Sequence, residues 1–125
     1  EFETAAMLGA NLHIYDLKVV TEANYLCNRH GFDTISMGGT IAALMEIYSG
    51  VEETPPCDRT SEERALVEEA APFTALHGPP VFGNSACLVP LVEAAVRGDG
   101  IGRMVSRWNL ILPEVFAGGT VAYEP

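Results

Sequence analysis

At 125 residues the chain can bury one hydrophobic core, and one domain is the expectation. Its 17 acidic residues stand against one lysine, Lys18, and six arginines, giving a net charge of -10 that speaks against nucleic acid as a partner. With 48% apolar and 19% charged residues, the composition also excludes a disordered chain.

Cys27, Cys57 and Cys87 are too far apart for a C-x-x-C site or a small disulfide framework, so a reducing compartment is expected. No apolar run reaches the roughly 18 residues that cross a bilayer, and the acidic start is unlike a signal peptide. These features predict a soluble cytoplasmic protein without membrane contact, and the abrupt start predicts a piece of a longer chain. The acids at Glu52 and Glu53 and between Glu62 and Glu69 read as solvated helix faces, with docking of a basic partner as the alternative.

In chain order, Leu17, Val20, Asn24, Cys27 and Gly31 recur at steps of three and four, which predicts a helix capped by Asp16 and ended by Gly31. A second helix is expected from about Ser36 to Tyr48, apolar nearly all round through Ile41, Ala42, Leu44, Met45, Ile47 and Tyr48, with Gly50 as its stop. Pro55 and Pro56 mark the stretch from Gly50 to Thr60 as a loop. Thr60 and Glu63 form a capping-box pattern for a helix to about Ala71, before a break at Pro72, Gly78, Pro79 and Pro80. Asn84 is placed to cap a helix to about Arg97, with Pro90 favouring a later start near Leu88.

Beyond Gly98 and Gly100, the residues Ile101, Met104, Val105 and Trp108 share one face of a helix to about Leu110. The tail from Leu112 reads as irregular or weakly extended, and alternation of period two occurs only at Thr120 to Tyr123. The prediction is a single all-α, multihelical bundle-like domain over residues 1–125, without internal repeats.

The stretch from Asn24 to Glu46 carries the most chemistry. Gly31 permits a positive-φ turn, and Asp33, Thr34 and Ser36 set acceptors beside the free amides of a helix start. A carboxylate there suits the paired N–H donors of a pterin or guanine edge, whereas spacing alone reads Asp33 as a plain helix cap.

Asn28-Arg29-His30-Gly31-Phe32-Asp33-Thr34-Ile35-Ser36 resembles the D-x-x-G-L-D-T-I-S motif of the tungsten-containing aldehyde ferredoxin oxidoreductase family, with Asn for the first Asp and Phe for Leu. Further segments resemble that family in order: Glu1 to Thr4, Leu8 to Asn11, Ile41 to Tyr48, Phe82 to Leu88 and Gly100 to Met104. The resemblance implies a helical domain of the C-terminal type in that family. It further implies that Asn28, Phe32 and Asp33 contact a bis-pterin tungsten cofactor, and that Glu3 falls where a glutamate near the metal handles protons. A raised carboxyl pKa beside a cofactor would suit that role, while the plain reading of Glu3 is a first-turn helix residue.

By the same resemblance, Glu22 matches a glutamate that holds a metal at a subunit interface in some members, with His77 as a loose partner and a homodimer allowed. A surface Glu and a loop His are the plain alternative, and His13 and His30 read as ordinary polar positions. The family's 4Fe-4S ligands, a C-x-x-C-x-x-x-C run and a later cysteine, have no counterpart here, and Cys27 reads as a buried free thiol. The chain alone is therefore expected to bind no cofactor and to be inactive. The implied parent enzyme oxidises aldehydes to carboxylates and passes electrons through the cluster to ferredoxin, with its remaining domains as this segment's partners. A non-catalytic helical scaffold or partner-binding module is the alternative, and a reductase for a different acid or thioester in the same superfamily is a third.

Overall fold

A computed structural model describes residues 2–107, with side chains from Ala5 onward. The elements expected at Trp108, from Leu112 and at Thr120 to Tyr123 lie outside the described residues. The fold is all-α: α1 (Phe2–Leu8), α2 (Leu17–Arg29), α3 (Thr34–Glu53), α4 (Ser61–His77), α5 (Leu88–Arg97) and α6 (residues 101–107). Short 3₁₀ turns occupy Ala10–Leu12, Pro56–Asp58 and Ser85–Cys87, and no strand occurs among the described residues.

The long α3 is the central element, with α1 packed along its first half and α4 against it less extensively. The α1 crossing is close because Gly38 has no side chain: a Cβ there would lie 2.5 Å from the Met7 carbonyl oxygen. The α2 helix packs along α5 and also touches α1 and α3. Leu8, Leu12, Ile14, Met37, Ile41, Leu44, Met45, Leu88 and Leu91 are fully buried in the shared core. Removing so much apolar area from water is the main term holding the helices together.

Local signals place several helix ends where the sequence suggests. Asp16 caps α2 by accepting from the Lys18 amide at 3.0 Å, and Gly98 ends α5 with φ of 74°. The Thr60–Glu63 capping box is complete, since the Thr60 hydroxyl accepts from the Glu63 amide at 3.1 Å and the Glu63 carboxylate accepts from the Thr60 amide at 2.8 Å. Asn84 caps the 3₁₀ turn before α5 and donates to the carbonyls of His77 and Pro79, so Pro90 lies in the first turn of α5, where a missing N–H costs little.

Tertiary packing overrides other signals. Gly50 does not stop α3, because Val51 beyond it is buried; the helix ends at Thr54, where Arg59 donates to the Val51 and Thr54 carbonyls at 3.1 and 3.0 Å. Likewise α4 runs through Pro72 to His77, on a surface helix whose Phe73 packs on the core and meets the tilted His77 ring with centres 4.8 Å apart. On α2 the inward face is Val20, Ala23 and Cys27, whereas Leu17 is 72% exposed. The short α1, whose first turn carries Glu3, is held by its crossing with α3.

Candidate functional site at the α2–α3 corner

The corner between α2 and α3 combines a helix stop and a helix start within four residues. Gly31 has φ of 79°, and the Phe32 amide reaches back to the Cys27 carbonyl at 2.8 Å while the Gly31 amide bonds that of Asn28 at 3.4 Å. This is a Schellman stop, in which the residue after glycine packs an apolar side chain against the helix it closes. Phe32 does so, being half-buried against the core. Any large apolar residue meets that requirement, which gives a physical reason for Phe to stand where the motif has Leu.

Asp33 is the N-cap of α3. Its Oδ2 accepts from the Ser36 amide at 2.9 Å and from the Ser36 hydroxyl at 2.8 Å. Both bonds fall on one oxygen, and Oδ1 of this exposed carboxylate accepts nothing from the described residues. The cap is thus half-used, and the remaining oxygen is open to a donor from outside. Ser36 contributes as a donor through its hydroxyl, not only as the acceptor that its residue type suggested.

Beneath the corner lies Cys27. Burial, with a smaller contribution from the charge of Asp33, pushes its thiol up to about 11, so it is protonated at neutral pH and is a packing residue. Burial also pushes Cys87 up to about 12, and Cys57 is exposed on the loop after α3.

Asn28 is exposed one turn before the corner, where its amide donates to Asn24 Oδ1 at a long 3.4 Å. It lines a shallow hollow on α2 with Thr21, Asn24, Tyr25 and Arg29, and neither Phe32 nor Asp33 reaches that hollow. Glu3 lies in α1, the helix that crosses α3, but its side chain is outside the described residues.

Glu22 is exposed on α2, and His77 is the last residue of α4, in a hollow with Phe73, Leu76, Arg97 and Asp99. Among the described residues no group of three or more His, Cys, Asp or Glu is placed to hold a metal ion. A separate hollow between α4 and α6, lined by Glu62, Leu66, Glu69, Arg103, Met104 and Arg107, contains none of these residues. Among the described residues no helix is long and apolar enough to cross a membrane.

A corner that offers an open carboxylate oxygen, with an exposed amide one turn away, fits a ligand rich in N–H donors, and its own acceptors are compatible with a pterin edge. The family model for aldehyde ferredoxin oxidoreductase, domains 2 and 3, matches residues 1–107. The chain belongs to that oxidoreductase family. Among curated proteins it is 33% identical over 118 residues to the tungsten-containing aldehyde ferredoxin oxidoreductase of Pyrococcus horikoshii, a match covering 94% of this chain and 17% of that protein. The enzyme of the same name from Pyrococcus furiosus is 32% identical over 93% of this chain and 16% of its own length. That of Thermococcus kodakarensis is 56% identical over a shorter stretch of 48 residues, 38% of this chain and 8% of its own. The chain therefore spans about one-sixth of the length of the first of these relatives. No solved structure matches it significantly.

Proposed function

We propose that this chain is the segment of a tungsten-containing aldehyde ferredoxin oxidoreductase whose α2–α3 corner helps to hold the pterin ligand. The observation that carries this reading is the half-used cap at Asp33, within a segment that belongs to the family. In it, Asp33 Oδ1 accepts from the pterin's N–H donors, and Asn28 adds a neutral amide that can accept or donate. Phe32 fixes the turn that aims Asp33. Glu3, on the helix crossing α3, accepts a proton released as aldehyde and water become a carboxylate.

The bound tungstopterin would supply the two-electron oxidation, with electrons leaving through a 4Fe-4S cluster to ferredoxin. The remaining domains of the parent enzyme complete the pocket, and the 125-residue chain alone binds no metal and turns over no aldehyde. Glu22 with His77 at a homodimer interface metal, and a cytoplasmic location, belong to the same reading.

The test is Asp33→Asn in the full-length enzyme. Asn caps a helix about as well as Asp, so the melting temperature of the cofactor-free protein should hardly change. A charge-assisted bond is roughly twice as strong as a neutral one, so tungsten and pterin content should fall. Full cofactor content in that variant would show that Asp33 only starts a helix. One observation favours a second reading, a non-catalytic helical module: the neutral Asn28 at a position where the motif carries an acid. A parent protein purified without tungsten from tungsten-replete cells would select it.

A further inference from the structure

Resting on the reading that Asp33 holds the pterin, we infer that Ser36 is the positioning residue that decides which Asp33 oxygen faces the cofactor. A carboxylate on a single-bonded stem rotates, and a cap bond from one backbone amide fixes it only partly. At this corner two donors converge on the same oxygen. The Ser36 amide and hydroxyl reach Asp33 Oδ2 at 2.9 and 2.8 Å, so both donors hold one oxygen of this exposed carboxylate and leave Oδ1 to other partners.

The capped start of α4 is built differently. At α4 the residue at the equivalent third position is Glu63, whose side chain returns to the Thr60 amide and closes the cap on itself. Serine at position 36 is too short to do this, so its hydroxyl turns to the capping carboxylate instead. The backbone amide alone suffices to start α3. The hydroxyl bond adds little to helix initiation and much to orientation, which is what separates a positioning role from a structural one.

The experiment compares Ser36→Ala, Ser36→Thr and Asp33→Ala in the full-length enzyme, reading tungsten and pterin content per protein and the melting temperature of the cofactor-free form. Loss of a group that orients a ligand residue typically costs about 10- to 100-fold in affinity. Ser36→Ala should therefore lose cofactor on dilution or dialysis at a melting temperature close to that of the parent. Ser36→Thr, which restores the hydroxyl, should recover cofactor content. If Asp33→Ala loses cofactor while Ser36→Ala retains it, the inference is overturned and the pterin role of Asp33 survives. If Asp33→Ala also retains it, the underlying reading is what fails. Equal loss in Ser36→Ala and Ser36→Thr, with a lowered melting temperature in both, would reduce Ser36 to a structural residue and overturn the inference as well.

Discussion

The helices α3 and α4 divide their stability in opposite ways. Of its 20 residues α3 buries eight, from Met37 to Val51, whereas α4 buries only Leu66 and Ala70 among 17. Their starts differ in the reverse sense. The α4 cap is closed on itself by two reciprocal bonds, and the α3 cap leaves a carboxylate oxygen open. A helix anchored along its body does not depend on a perfect start, so its first turn is free to serve a ligand. A helix lying mostly on the surface draws more of its stability from local terms, and caps are the strongest of these.

The largest effect that can break this comparison comes from the helix bodies. Leu44→Ala removes a fully buried side chain from the middle of α3 and should cost about 3–5 kcal/mol, in the upper part of the range for such truncations. Leu66→Ala on α4, where the side chain is 8% exposed and close to the surface, should cost nearer about 2 kcal/mol. Urea unfolding of the 125-residue chain measures both. Equal costs would show that α4 is as deeply anchored as α3 and would remove the stated reason for its closed cap.

How much of this was legible in the sequence depends on where each determinant resides. Caps and stops are local, so Asp16, Gly31, Thr60 with Glu63, and Gly98 could be read directly from residue type and spacing. Gly50 and Pro72 could not, because what carries the helices through them is the burial of Val51 and the packing of Phe73 against other elements. The same holds for Gly38, whose reason is the backbone of Met7 on another helix, and for Leu17, which the packing leaves exposed to solvent. At the corner, Asp33 stood out as a cap and as part of a motif. That its two oxygens are unequal depends on the Ser36 hydroxyl angle, which no pattern of residue types encodes.

A smaller effect separates the two caps themselves. Thr60→Ala opens both halves of the α4 box, since the Glu63 side chain loses the geometry that returns it to the Thr60 amide, and should cost about 1–2 kcal/mol. Asp33→Asn keeps an acceptor at the start of α3, and in the chain alone should change stability by no more than about 0.5 kcal/mol. Thermal unfolding of the two variants side by side gives the comparison. An Asp33→Asn cost equal to that of Thr60→Ala would mean that α3 relies on its cap as heavily as α4 does.

The smallest expected change in stability sharpens the comparison at its open end. Asn28 lies in the last turn of α2, at the negative end of the helix dipole, where an added carboxylate is unfavourable by about 0.3–1 kcal/mol. Asn28→Asp also gives up the 3.4 Å bond to Asn24, which is too long to contribute much. A second acid near Asp33 adds like-charge repulsion that solvent weakens, because both side chains are exposed. In the chain alone the variant should therefore be slightly less stable, and the loss should be larger at low salt than at high salt, where ions screen the repulsion. In the full-length enzyme the same change restores a charged acceptor where the motif has one. If the corner grips a donor-rich ring, the lost stability should be accompanied by cofactor retained through longer dialysis, because a charged acceptor binds an N–H more tightly than an amide does. Retention identical to the parent's would place Asn28 outside the cofactor contact, in keeping with its position in the α2 hollow that Asp33 does not line.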